Sequence, residues 1–195
     1  MDEGRVKISS KELSERMRLT ASQIRQDLNC FGGFGQQGYG YNVEVLRHEI
    51  AMIIGTENID MNRVIIIGAG NIGTAICDNL SFEKRGCVLV GIFDKSERLH
   101  GKMTAGHKIR GMHELSEFCE RKQPRIAVLC IPKAEAKSVC EELIALNVRN
   151  FWNFSHFDIN LYFDNVNVEN VHLGDSLLTL VYNVNCGSKR LAVTQ

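Results

Sequence analysis

The sequence predicts an α/β protein with a small helical unit first, a doubly wound parallel sheet after it, and a helix at the C-terminal end. Three observations lead there. Two short capped helix signals and a glycine-aromatic stretch precede residue 42. From residue 63 to 154, β-branched runs alternate with helical periodicity, and the first run feeds Gly68-x-Gly70-x-x-Gly73. Residues 175–185 are apolar on two sides of a helix. Hydrophobic periods that switch between 3.6 and 2 are the pattern of βαβ units.

The N-terminal elements read in order. Ser9-x-x-Glu12 is a capping box before a short helix with Leu13 and Met17 on one face. Thr20-x-x-Gln23 is a second box. Its helix places Ile24, Leu28 and Phe31 inward and leaves Ser22, Gln23, Arg25, Gln26 and Asn29 outward. Two short helices at a tight turn form a helix-turn-helix, whose second helix enters a DNA major groove. Five glycines among aromatics at 32–41 suit a β-hairpin wing, making this a winged helix unit. The candidate DNA contacts are Ser10, Ser22, Gln23, Arg25, Gln26, Gln37 and Tyr39. Asn42 caps an amphipathic helix (Val43, Leu46, Ile50, Ile53, Ile54) that Gly55 stops, and 56–62 reads as a linker. Charge leaves a second reading open, a helical cap or dimerisation unit. Residues 1–41 hold six basic and five acidic side chains, and a DNA reader normally shows a clear basic face.

The glycine motif has its required context. Val64 to Ile67 is a strand, the glycines open a helix, and Asp94 ends the next apolar run, 21 residues after Gly73. That is the Rossmann dinucleotide fingerprint. Gly68 makes the turn, Gly70 lets backbone approach a pyrophosphate, and Gly73 lets helix and strand pack closely. Phosphates then meet unpaired N–H groups and the positive end of the helix dipole. Asp94 accepts from a ribose diol and repels a 2′-phosphate, which favours NAD(H) over NADP(H). The cofactor-contacting set is Gly68, Ala69, Gly70, Asn71, Ile72, Gly73 and Asp94, with Ile131 and Pro132 at the end of a later buried strand, near the switch point. An amphipathic helix at 133–147 and a strand at 148–154 follow; Asn153-Phe154-Ser155 either lines a nicotinamide ribose or packs a loop. The C-terminal helix, with Leu177, Leu178, Leu180, Val181 and Val184 spread over its surface, needs two partners: its own domain and a second subunit. The tail at 188–195 is expected to be polar and mobile. The expected organisation is 1–56 winged helix, 57–173 Rossmann domain and 174–195 dimerisation helix and tail.

Composition narrows the function classes. The 195 residues are 44% hydrophobic and 24% charged, typical of globular protein. No run approaches the ~20 apolar residues that span a bilayer, and the start lacks a signal-peptide hydrophobic region, so a cytoplasmic location with no membrane partner is expected. The formal net charge is zero. Seven dispersed cysteines without C-x-x-C read as free cytosolic thiols, and six histidines show no metal spacing. A dehydrogenase would need an acid-base group near the hydride carbon and a substrate domain. Lys133 and His156 are better read as surface or loop residues, so neither an enzyme nor a catalytic residue is expected. A CoA-binding module of succinyl-CoA synthetase type has this topology too, but Asp94 and the N-terminal unit argue against it. A module reporting NADH to another protein is a third class.

These segments together resemble the Rex family of redox-sensing transcriptional repressors. The matching stretches are 8–13, 23–28, the wing to Gly40-Tyr41, 68–73, 91–94, Ile131-Pro132 with Ala134 and Ala136, Asn153-Phe154 and Asn170-Val171. The match runs from about Arg5 to about Tyr182, in one order. The resemblance implies a homodimer with a swapped C-terminal helix that binds palindromic operator DNA and releases it when NADH replaces NAD⁺. It also implies departures. Rex chains begin with a further helix upstream of Arg5, bearing an arginine used in the switch. That arginine and a tyrosine exchange hydrogen bonds with an aspartate, and here Asn79 and His172 stand at the tyrosine and aspartate positions. Gln26, Gln36 and Gln37 occupy positions that are usually cationic. Two readings follow: a working repressor with a shortened or misassigned start, or a diverged Rex-like paralogue that keeps the nucleotide pocket but has weak or altered DNA binding and switching.

Overall fold

The computed structural model describes residues 6–30, 35–36, 40–58 and 62–192. The chain divides into two compact units, Met1–Asn58 and Ile59–Gln195.

In the first unit, β1 (Lys7–Ile8) leads to α1 (Ser10–Met17) and α2 (Ala21–Cys30), then to β2 (Gly35–Gln36), β3 (Gly40–Asn42) and α3 (Val43–Ile53). Both capping boxes form. Ser9 accepts from the Glu12 N–H, and Glu12 accepts from the Ser9 N–H. Thr20 and Gln23 do the same. Each such cap is worth about 1 kcal/mol. Arg18, in the left-handed conformation, ends α1 and sets the tight turn. Strand β3 pairs with both β1 and β2, so the hairpin base of the wing closes against the helices. Ile8, Leu13, Ile24, Tyr41 and Leu46 form the core, with Leu28 and Val43 against it. Several residues expected to be inward are not. Met17, Ile50, Ile53 and Ile54 are exposed, because periodicity marks the apolar face of a helix without marking what covers it. The outer side of α3 and β1 carries an open apolar groove of about 290 Å³. Phe31 lies outside the described residues.

The second unit is a seven-stranded sheet. Its strands are β4 (Arg63–Ile67), β5 (Val88–Asp94), β6 (Met103–Thr104), β7 (His107–Gly111), β8 (Ile126–Leu129), β9 (Asn150–Asn153) and β10 (Asn167–Asn170), in the order β10-β9-β8-β4-β5-β7-β6. All pairings are parallel except β6–β7. The chain direction reverses across the sheet between β4 and β8, which places the topological switch point at the end of β4. Alternation along β4 fills two cores. Ile65 and Ile67 join Phe93, Leu129 and the inner faces of α5 (Leu115–Lys122) and α6 (Lys133–Ala145). Val64 and Ile66 join Ile92, Ile109, Val128 and Cys77 of α4 (Asn71–Asn79).

That second face is incompletely covered. Beside α4 an apolar groove of about 590 Å³ lies open, lined by Leu80, Phe82, Ile126, Val128, Trp152 and Val168. The β9–β10 connection, with its 3₁₀ turn (Ile159–Leu161), packs on the first face, where Ile159 is buried. The C-terminal helix α7 runs from Leu173 to Ala192, longer than the 175–185 segment read from the sequence, and it continues into the expected tail as far as Ala192. Among its described residues the apolar positions are largely uncovered. Leu173, Leu177, Leu178, Leu180, Val181 and Tyr182 are each 48–67% exposed. Among the described residues, no helix is long and apolar enough to cross a membrane.

Candidate functional site

The fingerprint turn sits where β4 meets α4. Gly68 has φ +97°, and a side chain there would place Cβ 2.4 Å from the Cys130 carbonyl oxygen. Its N–H donates to the Phe93 carbonyl at 2.8 Å, tying the turn to β5. A Cβ at Gly73 would lie 1.9 Å from the Gly68 carbonyl oxygen, so only glycine lets the first turn of α4 approach the strand. A Cβ at Gly70 would meet nothing in the protein within 4 Å. Packing therefore explains Gly68 and Gly73, while Gly70 faces space that a ligand backbone could fill. Gly70 is also the N-cap of α4 and makes no side-chain cap, so no cap side chain occupies the N–H groups of the first turn, which form the positive end of the helix dipole.

Asp94 closes the far side of β5. Its Oδ2 accepts from the Ala69 N–H at 2.7 Å and its Oδ1 accepts from the Ser96 N–H at 2.7 Å. The carboxylate thus fixes the glycine turn and its own loop, and each oxygen keeps a second lone pair for a ribose hydroxyl. A cavity of about 180 Å³ gathers Gly68, Gly70, Asp94, Ile131 and Pro132, residues that sequence separates by more than sixty positions. Larger depressions exist, one of about 660 Å³ at the opposite ends of the strands around Arg63 and Arg125. The helix N-terminus and the strand-end carboxylate are at this smaller one, which is where doubly wound sheets bind ligands. Ala69 is buried, while Asn71 and Ile72 are exposed on the first turn of α4.

Sequence reasoning missed three residues here. Lys95 and Glu135 form an ion pair at the cavity rim. The signals were a cation one residue after the strand-end aspartate and a carboxylate in the first turn after the proline. Cys130 lines the floor, and burial pushes its thiol up to about 12, so no thiolate is offered at neutral pH. Asn153, by contrast, is a packing residue. It is buried, its Nδ2 donates to the Phe157 carbonyl and to Asn170 Oδ1, and its Oδ1 accepts from Ser155. His172, just before α7, contacts His156: the two Nδ1 atoms are 2.9 Å apart and the rings stack at 5.1 Å. Asn79 donates to the Ala75 carbonyl of its own helix.

On the first unit, Ser22, Gln23, Arg25 and Gln26 lie on the exposed side of α2. Arg25 Nη1 donates to Ser10 Oγ at 3.2 Å, so two predicted contacts on different helices meet. Gln23 is partly committed, since its Oε1 accepts from the Thr20 N–H and hydroxyl. Gln37 and Tyr39 lie outside the described residues.

Known proteins match this arrangement. Residues 59–157 match the family model described as CoA binding domain, and residues 1–29 match the one described as "Putative DNA-binding protein N-terminus". The redox-sensing transcriptional repressor Rex of Clostridium novyi (strain NT) is 50% identical over 186 residues, 95% of this chain and 87% of that one. The crystal structure of RSP with β-NAD⁺ and operator DNA is similar at a TM-score of 0.84 and 45% identity, covering 96% of this chain and 85% of that one. RSP with β-NADH gives 0.83 and 42%, covering 96% and 86%. The CoA-binding match covers part of the second unit alone, whereas the repressor likeness spans both units in one order. The chain belongs to the Rex family of redox-sensing transcriptional repressors, with a domain of the CoA-binding family as its larger part.

Proposed function

We propose that this chain is an NADH/NAD⁺-responsive transcriptional repressor, not an enzyme, that binds palindromic operator DNA as a homodimer and reads cellular redox state in the cytoplasm. The observation that carries this reading is the fingerprint turn with Gly70 open to a ligand and Asp94 beside it, on a chain that matches RSP in complexes with nucleotide and with operator DNA. The cofactor is NAD(H), held by 68–73 and Asp94 with Ile131 and Pro132 across from them. When bound it supplies a redox-dependent charge and shape. The protein's own groups orient it: N–H groups of α4 toward the pyrophosphate, the Asp94 carboxylate toward the adenosine ribose.

Asp94→Ala removes both the ribose acceptor and the brace on the Ala69 N–H. NADH affinity is expected to fall at least about tenfold, and discrimination against NADPH to shrink. Calorimetric titration with each nucleotide checks this. Wild-type protein that binds neither would refute the nucleotide reading.

The DNA face is read as α2 and the wing, with Ser10, Ser22, Gln23, Arg25, Gln26, Gln37 and Tyr39 as contacts and Arg25 as the principal one. Gln26, Gln36 and Gln37 hydrogen-bond but release no counterions. Changing Gln26 to Lys and Gln36-Gln37 to Lys-Arg should tighten binding and steepen the log-log salt slope by roughly three units. An anisotropy series over salt concentration measures it, and an unchanged slope would mean these positions do not face phosphate.

A second reading, a paralogue with altered switching, is favoured by one observation: His172 contacts His156 rather than offering a carboxylate. Under that reading the nucleotide site stands, and the coupling between it and DNA is weak.

A further inference from the structure

Lys95 follows Asp94 at the end of β5, and Glu135 lies in the first turn of α6, after β8. Strands β5 and β8 flank β4 on opposite sides, so their ends stand about 10 Å apart. The Lys95 ammonium bonds Glu135 Oε1, and this bridge crosses the rim of the cavity that holds Gly68, Gly70 and Asp94. The Lys95 side chain is 68% exposed and that of Glu135 31%. A pair so exposed adds little to stability, so its main consequence is where it holds the cation.

The rim therefore carries two carboxylates, Asp94 and Glu135, against one cation. Asp94 already accepts from two backbone N–H groups and is fixed in place. Lys95 is the adjoining residue, so a 2′-phosphate on a ribose held by Asp94 would lie within its side-chain reach. A 2′-phosphate is accommodated in such pockets by a nearby cation. With its ammonium held by Glu135, Lys95 is not presented to that phosphate.

We propose that Glu135 is a specificity-determining residue: by drawing Lys95 across the rim, it denies the cation to a 2′-phosphate and sets the pocket's preference for NAD(H) over NADP(H) together with Asp94. The proposal rests on the nucleotide reading above. Releasing Lys95 converts the rim from one that repels a 2′-phosphate to one that can pair with it.

The test is titration of the full chain with NADH and with NADPH, for wild type, Glu135→Gln, and the double variant Glu135→Gln/Lys95→Met. Glu135→Gln should raise the NADPH-to-NADH affinity ratio about tenfold, the order of one charge-assisted contact. The double variant should return the ratio toward the wild-type value, because the released cation is then gone. A ratio that moves less than twofold in Glu135→Gln, or a gain that survives in the double variant, would overturn the proposal. Wild-type protein that fails to bind NADH would instead overturn the nucleotide reading itself, so the two failures are separable.

Discussion

Gly73→Ala is expected to destabilise the nucleotide unit's fold, and Gly70→Ala to spare the fold while removing most of the nucleotide affinity. The new methyl at position 73 would stand 1.9 Å from the Gly68 carbonyl oxygen, a backbone atom that cannot rotate away. Relief requires α4 to lift off β4, which opens the core around Cys77 and Ile66. Overpacking against backbone of this kind costs about 3 kcal/mol, or roughly 10 °C in melting temperature for a unit of this size. At position 70 the methyl meets no protein atom. The backbone there, φ −74° and ψ −166°, is open to any residue, so melting should shift by less than about 2 °C. NADH affinity should still fall about tenfold or more, because the methyl occupies the space a pyrophosphate would approach. Thermal denaturation paired with NADH titration separates the two effects. Equal loss of stability in both variants would mean that Gly70 is a packing residue.

Disrupting α7 should dissolve the dimer. Leu177 and Val181 lie four residues apart on one face of the helix, 60% and 48% exposed. The sheet's open groove, lined by Leu80, Phe82, Ile126, Val128, Trp152 and Val168, is a matching apolar surface that α7 of the same chain leaves uncovered. The swapped helix that the family resemblance implies would seat a second copy's α7 in that groove and, by symmetry, return one. Each buried leucine or valine contributes about 1.5–3 kcal/mol. Leu177→Asp with Val181→Asp therefore removes at least about 3 kcal/mol from each exchanged helix, more than a hundredfold in dimer affinity. Sedimentation equilibrium at micromolar concentration should give a dimer for the intact chain and monomer or aggregate for the variant. A monomeric intact chain would contradict the exchange.

The residues that show themselves in sequence are those whose physics is local. Ser9 and Glu12 cap α1 because three residues of spacing brings both groups together. Gly68, Gly73 and Asp94 were legible because strand, turn and helix follow one another in the chain. What failed was what depends on distant neighbours. The β6–β7 hairpin turns on Ala105-Gly106, both at positive φ, where alanine gives no turn signal. Strand β10 reads Asn-Val-Glu-Asn, a polar edge strand with no apolar run. Helix α7 passes through Gly187, which in sequence resembles a stop. The Lys95–Glu135 pair depends on the end of β5 and the first turn of α6, forty residues apart, meeting across the switch point. Asn153 carried two readings, and only its partners Phe157, Asn170 and Ser155 decide for packing.

NADH and NAD⁺ are expected to hold this protein to operator DNA with different strength. The most direct measurement is anisotropy titration of a palindromic operator duplex with the full chain, once with saturating NAD⁺ and once with saturating NADH. His172 is engaged with His156, and Asn79 with its own helix, so the aspartate–tyrosine exchange of the family has no counterpart at these positions. One such contact is worth about 1–3 kcal/mol when buried, the size of a typical allosteric coupling. DNA is expected to bind with NAD⁺, and NADH to weaken that binding measurably, by less than about tenfold. Identical affinity with both nucleotides would contradict redox sensing, and a shift of about a hundredfold or more would show that other residues carry the switch and that His172 has been misread.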